Sequence, residues 1–366
     1  MKLSELITCL EQFAPPSLQE SYDNSGLQVG DLHAEVTGVY IALDCTSEVI
    51  QEALNHSCNT IITHHPLIFT PLRSLGTGTE TEKLVRDLIQ KELNLYSFHT
   101  NFDTVLNGVN TSLADALNLN LKGVIMPKAR LWGKLQVFVP PSHVNTLSEA
   151  LFKAGAGSIG SYSQCSFKTI GTGTFLPDNS ARPFIGKAGT PTQTEEIKLE
   201  CIYPVFKKQA VLSCLQHHHP YETPAFDLLD LDYESSDYGS GAWGWLNAPL
   251  SGTDFLKEVA SKLHQPVLSY SGSLNHPIQR VGICGGSGAF LIPKAQQLGL
   301  DAFITSDISY HKFFLNTSNF LLVNAGHAET EQFTLKKIAD VIQKEFPKFA
   351  IHFSEKSTSP VKYFKL

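Results

Sequence analysis

The sequence repeats one structural pattern in two distant stretches, and this repetition limits the folds that the chain can adopt. In the first stretch, a strand over 36–44 and a helix lead to the apolar run Thr60-Ile61-Ile62. In the second stretch, a strand over 278–284 and a helix lead to the apolar run at 301–305. Short runs rich in β-branched residues are typical of buried strands, so each stretch predicts a parallel strand–helix–strand unit. We therefore expect a duplicated α/β fold.

Histidine and carboxylate side chains follow the ends of these strands. A histidine pair follows the first run, and in both repeats the next strand is followed by a histidine with a carboxylate four residues later. These side chains are His64, His65, His99, Asp103, His327 and Glu331. Ligand sites of α/β folds lie beyond the carboxyl ends of the strands, and imidazole is the commonest neutral metal ligand near pH 7. The hypothesis is a metal site formed by His64, His65, Asp103, His327 and Glu331.

Each of these residues also has a simpler interpretation when it is considered alone. His64 and His65 could be ordinary loop histidines, Asp103 an aspartate in a turn, and Glu331 an acidic residue in the first turn of a helix. The cluster as a whole favours metal binding. His99, Asp307 and His311 are interpreted as side chains that orient the ligands, and Asp307 or His311 could also move protons.

Composition excludes several classes of protein. The 366 residues are enough for two or three domains, and the net charge of −7 argues against a nucleic-acid-binding protein. No run approaches the roughly 18 apolar residues that a membrane helix needs. The seven cysteines are dispersed without a C-x-x-C motif, which indicates reduced thiols and a cytoplasmic location. Histidine and carboxylate must therefore supply the ligands of any bound metal.

Between the two repeats lies a region of different character. Strand and helix patterns there follow the order β-α-β-β-α-β, which predicts an inserted ferredoxin-like α+β domain. The glycine-rich segment 239–244, with Pro249, is interpreted as a linker back to the parent fold. His217, His218 and His219 are interpreted as a polar helix end, with a second metal site as the less favoured alternative.

Two glycine-rich or polar loops leave alternatives open. The segment 285–288, which precedes a helix, is either a phosphate-binding turn or a close-packed turn. The segment 21–31 is either a polar turn before a strand or a loop whose Asp23 and Asn24 side chains line a pocket.

Several motifs, taken in order, resemble the Nif-three-like dinuclear-metal family, which is GTP cyclohydrolase I type 2-like. The motifs are S-Y-D-N-S-G-L-Q-V-G-D, I-T-H-H-P-L-I-F, F-H-T-N-F-D, G-G-S-G, D-A-F-I-T-S-D-I-S-Y-H and G-H-A-E-T-E. The middle of the chain resembles the PII/CutA-like insert of longer members. The resemblance implies two intertwined three-layer α/β/α repeats over 1–125 and 238–366, with the insert over 126–237. It also implies a toroidal homohexamer with two metals per subunit on His64, His65, Asp103, His327 and Glu331.

Three functions are compatible with these residues. The first is a metal-dependent hydrolase that opens the GTP ring at C8 with release of formate, where the substrate follows from the resemblance alone. The second is a dinuclear phosphohydrolase acting on other nucleotides or phosphoesters. The third is a metal-dependent regulatory or interaction scaffold without turnover. The ligand set suits two divalent ions, with Zn preferred and Fe, Mn, Co or Ni as alternatives.

Overall fold

The computed structural model describes residues 1–76, 78–315 and 319–364. The chain divides into two compact units, one formed by Met1–Pro127 with Ser236–Leu366 and the other by Lys128–Ser235. Among the described residues, no helix combines the length and the apolar character that crossing a membrane requires.

The elements are numbered in chain order. The strands are β1 (Gly26–Val29), β2 (Val39–Ala42), β3 (Thr60–Thr63), β4 (Asn94–Ser97), β5 (Asn120–Pro127), β6 (Trp132–Val139), β7 (Phe167–Phe175), β8 (Thr192–Pro204), β9 (Phe226–Leu231), β10 (Gly239–Leu250), β11 (Ser269–Ser271), β12 (Ile278–Ile283), β13 (Ala302–Thr305), β14 (Leu321–Asn324) and β15 (Ile351–Phe353). The α-helices are α1 (Leu3–Phe13), α2 (Ser47–Asn55), α3 (Glu80–Gln90), α4 (Thr100–Thr104), α5 (Val109–Leu117), α6 (Val144–Lys153), α7 (Lys208–His218), α8 (Gly252–Lys262), α9 (Ile292–Gln297), α10 (His327–Glu331) and α11 (Thr334–Glu345).

The first sheet of the larger unit has the strand order β1-β4-β3-β2-β15. Strands β2, β3 and β4 are parallel, as the sequence predicts, and β1 closes one edge in the antiparallel direction. Every residue of these three parallel strands is buried because helices cover both faces. Leu95 packs with residues of α2 and α3, whereas the hydroxyl of its neighbour Tyr96 donates to Glu11 of α1 on the other face.

The second sheet has the order β11-β14-β13-β12-β10-β5, and its first four strands repeat this plan. Strands β12, β13 and β14 are parallel, and β11 pairs with β14 in the antiparallel direction, as β1 does with β4. Ile304 packs with α5 and α8 on one face, and Phe303 packs with α9 on the other. The repetition in the sequence therefore corresponds to two sheets of like topology.

The prediction of a linker at 239–244 is wrong. These residues begin β10, which pairs with β12 on one side and with β5 on the other. Glycine is unfavourable in most strands, but here a Cβ at Gly244 would overlap the backbone of Asn120 and one at Gly241 would overlap Leu291. The glycines therefore mark close packing inside a sheet, and ladder bonds on both sides outweigh their low strand propensity.

The smaller unit contains one sheet of order β7-β8-β6-β9, in which all neighbours are antiparallel. Helices α6 and α7 pack on one face against a core that includes Leu135, Val137 and Leu199. The chain order β-α-β-β-α-β is the predicted ferredoxin-like order.

Candidate metal centre

The predicted ligands are placed by strand ends of both sheets of the larger unit. His64 and His65 follow β3, Asp103 lies in α4 after β4, and His327 and Glu331 begin and end α10 after β14. Strand β3 is parallel to β4 in the first sheet and β14 is parallel to β13 in the second, so within each sheet the carboxyl ends of these strands lie along a common edge. The local folding that the sequence predicts therefore presents each side chain at a strand end.

The five side chains meet in one cluster, and Glu331 stands at its centre. Glu331 Oε2 lies 3.1 Å from His65 Nε2 and 3.2 Å from His327 Nε2. His64 Nε2 lies 3.6 Å from Glu331 Oε1 and 3.6 Å from Asp103 Oδ1. The Nε2 atoms of His65 and His327 are 3.3 Å apart. The structure thus brings together all five residues, whose role as ligands stays a prediction.

Hydrogen bonds on the far side of each ring fix which nitrogen faces the cluster. His64 Nδ1–H donates to the carbonyl of Phe98 at 2.9 Å, and His65 Nδ1–H donates to Asp44 Oδ1 at 2.8 Å. His327 Nδ1–H donates to Asp307 Oδ2 at 2.6 Å. In its neutral form each imidazole therefore directs the lone pair of Nε2 toward the cluster, which is the arrangement that metal-binding histidines adopt.

Several polar atoms of the cluster fit a cation. Among the described residues, His64 Nε2, Asp103 Oδ1 and Glu331 Oε2 are buried and accept or donate no hydrogen bond. His64 is 0% exposed and Glu331 is 3% exposed, so both side chains lie almost entirely out of contact with bulk solvent. Buried polar groups without partners are costly, and a divalent ion would satisfy these three atoms together. The donor set of imidazole nitrogens and carboxylate oxygens suits such an ion.

Without a metal, protons supply part of the positive charge that the cluster needs. Burial lowers the pKa of His65, but its hydrogen bond to Asp44 and the adjacent carboxylate of Glu331 outweigh this effect and raise the pKa to about 10. In the same way, Glu331 and Asp307 raise the pKa of His327 to about 9 against the effect of burial. Burial raises the pKa of Asp103, whereas the surrounding histidines hold the pKa of Glu331 well below its ordinary value despite its burial.

Two further carboxylates lie close to the cluster. The sequence analysis did not single out Asp44, and it gave Asp23 only as a possible pocket residue. Asp44, just after β2, orients His65 and accepts a second hydrogen bond from Thr358 Oγ1 at 2.6 Å. Asp23 accepts from His99 Nδ1 at 2.7 Å and from the backbone of Thr100 at 3.1 Å. The position of Asp44 at a strand end beside β3 is a signal that could have found it. Asp23 holds His99, but the described residues that line the neighbouring cavity include neither Asp23 nor Asn24, so the pocket alternative is not confirmed.

Asp307 and His311 differ in their surroundings. Asp307 holds His327 and also accepts a hydrogen bond from Ser287, and its φ of 53° is unusual for a residue other than glycine. His311 is exposed on a short 3₁₀ helix, and the ring contacts found for it within the described chain are with Tyr310 and Phe314. The contacts of Asp307 support a part in orienting His327. Its part in moving protons, and both parts for His311, stay predictions.

The glycine turn at 285–288 supports the cluster instead of offering free amides. The amides of Gly286 and Gly288 donate to Thr330 Oγ1 at 3.0 Å and to Thr305 Oγ1 at 2.8 Å. Gly286 has a φ of 62°, and a Cβ on it would overlap Glu331 Oε1. These contacts favour the close-packed turn over a phosphate-binding turn.

A cavity of about 440 Å³ opens beside the cluster. Its lining includes Asp103, His327 and Glu331 together with His99, Tyr22 and Phe290. The volume lies in the range of roughly 300–1,000 Å³ that small-molecule sites occupy. Ligand-binding atoms and space for a small molecule therefore occur together.

The histidines at 217–219 do not form a comparable group. His219 is buried, and its ring bonds the carbonyl of Phe138 at 2.9 Å and the amide of Tyr221 at 3.1 Å. Over the described parts of the chain, the group whose ligand atoms come close enough to hold an ion is His64, His65 and Glu331. The interpretation of 217–219 as the end of a helix agrees with α7, which ends at His218.

Comparison with known proteins identifies relatives along the whole chain. The profile of the family described as Duf34/NIF3 (NGG1p interacting factor 3) matches residues 1–360. A Staphylococcus epidermidis protein named GTP cyclohydrolase 1 type 2 homolog is 35% identical over 372 residues, covering 99% of this chain and 100% of its own. A Halalkalibacterium halodurans protein of the same name is 38% identical over 307 residues, covering 84% of this chain and 82% of its own. The crystal structure of a Bacillus cereus protein related to NIF3 is 33% identical, with a TM-score of 0.86 over 100% of this chain and 99% of that one.

Proposed function

The chain belongs to the Duf34/NIF3 family, and from this premise and the geometry of the cluster we propose that it is a metal-dependent hydrolase. His64, His65, Asp103, His327 and Glu331 would hold two divalent ions. The observation that carries the proposal is the convergence of three imidazole Nε2 atoms on the carboxylate of Glu331, at 3.1 to 3.6 Å. Such a group has no evident structural purpose in a core, where it leaves buried atoms without partners.

The residues around the cluster would orient the ligands. Asp44 and Asp307 hold the rings of His65 and His327, and the carbonyl of Phe98 holds that of His64. Divalent ions at this site would lower the pKa of water and polarise the bond to be cleaved. Asp307 contacts both His327 and Ser287, which line the cavity, and its carboxylate could accept or return a proton there.

The substrate proposal rests on the relatives. Because they are named GTP cyclohydrolase 1 type 2 homolog, we propose hydrolytic opening of the GTP ring at C8, with C8 leaving as formate. The test is to load the purified chain with Zn²⁺, Mn²⁺ or Fe²⁺ in separate samples, add GTP, and measure formate and the ring-opened triphosphate. Product from the intact chain but none from His65→Ala would support the proposal, and no product from either would exclude GTP ring opening.

One observation favours a second substrate class at the same cluster. The residues that line the 440 Å³ cavity include no Lys or Arg within the described chain, so the charge of a triphosphate would have no lysine or arginine partner there. A nucleoside monophosphate or another phosphoester carries less charge. A panel of phosphoesters assayed with the same metal-loaded samples separates this phosphohydrolase from the GTP enzyme.

The finer features that the family resemblance implies are also proposals. We propose that the chain assembles as a toroidal homohexamer, that each subunit holds two metals, and that Lys128–Ser235 is a PII/CutA-like module. Light scattering measures the assembly, and elemental analysis per chain measures the metal count. The regulatory scaffold predicts no turnover and a stoichiometric partner. It would be favoured if deletion of 128–235 abolished binding of that partner while the chain retained its metal.

A further inference from the structure

The smaller unit contains a second cavity, of about 690 Å³, which the proposed hydrolase does not use. It lies on the face of the sheet opposite to α6 and α7. Alternate residues of β8 show this: Ile197 and Leu199 join the core under the helices, whereas Glu196 and Lys198 line the cavity. Residues from the segment after β7, including Pro177 and Phe184, line the same cavity. Its volume is that of a small-molecule site.

A carboxylate at this cavity has no cationic partner. Glu196 is 9% exposed, and its Oε1 accepts a hydrogen bond from the hydroxyl of Tyr221 at 2.8 Å. Among the described residues it forms no ion pair with a Lys, Arg or His. Gly173 on the neighbouring strand makes room for this side chain, because a Cβ there would overlap Glu196 Oε2. A buried carboxylate normally has a cation beside it, and a single neutral hydroxyl does not supply one.

Glu200, on the same face of the sheet, is a carboxylate whose charge is balanced by neighbouring lysines. It is also 9% exposed, but Lys134 lies 2.8 Å away, Lys198 lies 3.2 Å away and Gln136 donates at 2.9 Å. Lys198 is therefore engaged with Glu200 and is not the partner of Glu196. The difference between these two glutamates indicates that the charge of Glu196 is available to pair with a bound cation.

Aromatic rings surround the position that such a ligand would take. Tyr221 lies 6.5 Å from Phe175 and 6.2 Å from Phe184, measured between ring centroids, and all three rings line the cavity. The faces of aromatic rings attract cations, and their apolar area favours an apolar body. We propose that this cavity binds a small organic cation, an ammonium or amidinium group on an aromatic or apolar body, with Glu196 as its counter-ion.

The test measures binding of phenethylamine and of benzamidine to the full chain by titration calorimetry, with neutral 2-phenylethanol as the comparison. We expect saturable binding of at least one cation and at least about tenfold weaker binding of 2-phenylethanol. Glu196→Gln should weaken binding of the cation by about tenfold or more, because it keeps the shape and removes the charge. Glu195→Gln is the matched control, since it makes the same charge change at an exposed position and should alter binding less than twofold.

A second variant protects the test against misfolding of the first. Tyr221→Phe keeps the ring, removes the hydroxyl that positions Glu196, and should weaken binding severalfold. Melting curves confirm that each variant is folded. Absence of saturable binding by both cations, equal binding of 2-phenylethanol, or equal effects of Glu196→Gln and Glu195→Gln would each overturn the proposal. A change in oligomeric state on Glu196→Gln without cation binding would overturn it too, and would assign this face to contact between chains.

Discussion

Substitution of Asp44 by Asn tests whether hydrogen bonds behind the cluster tune its affinity for metal. Asp44 accepts from His65 Nδ1 at 2.8 Å and from Thr358 Oγ1 at 2.6 Å. Asn keeps an oxygen for the imidazole N–H and removes the negative charge. We expect His65 to keep its position but to become a weaker ligand, because the charge-assisted hydrogen bond becomes a neutral one.

The size of the effect follows from the position of Asp44. Loss of a hydrogen-bond partner behind a metal ligand costs about 10- to 100-fold in affinity, or about 1.4–2.8 kcal/mol. The Asp44 side chain is 35% exposed, so solvent screens part of its charge. Only one of the five proposed ligands is affected. We therefore expect a loss near the lower limit, about tenfold.

The assay is competition for Zn²⁺ with a chromogenic chelator at neutral pH, followed by elemental analysis of the protein. Asp340→Asn is the matched control, because it removes the same charge from an exposed ion pair with Lys336 on α11. It should leave the affinity unchanged. If Asp44→Asn binds Zn²⁺ as tightly as the unaltered chain, while His65→Ala loses it, the orienting role of Asp44 is refuted.

Three further predictions concern the same region. Gly286→Ala should destabilise the fold by about 1–3 kcal/mol in chemical denaturation and lower the metal content, because its φ is 62° and a Cβ would displace Glu331; an unchanged denaturation curve would contradict this. Asp23→Ala should lower the free energy of unfolding by about 1–3 kcal/mol, because buried donors lose their acceptor; Asp23→Asn should recover part of that loss. In metal-free protein the pKa values of His65 and His327, about 10 and about 9, lie above the ordinary 6.5, so their contribution to stability is complete below about pH 6.5 and is lost as the pH rises through 9 to 10. The melting temperature after chelator treatment should fall over that range, and a flat profile would contradict the assignment of those protons.

The sequence pattern predicted those parts of the fold that local periodicity controls. The apolar runs of β3 and β13 identify their elements because both faces of each strand are buried. The same reasoning failed at β10, since neighbouring strands on both sides decide that it is extended. Glycine occurs there because atoms of neighbouring segments come too close for a Cβ. A local sequence pattern does not show such contacts.

The candidate site, like the fold, could be predicted only in part from local sequence patterns. The local order of residues was enough to predict that His64, His65, Asp103, His327 and Glu331 follow strand ends, because short buried runs joined by helices form parallel strands. The position of Asp44 and Thr358 behind His65 depends on three-dimensional packing, since their hydrogen bond joins positions 314 residues apart. The position of an aspartate after a strand does not indicate which distant side chain it will contact. Its partner is chosen by the packing of the whole unit, which brings distant segments to within hydrogen-bond distance.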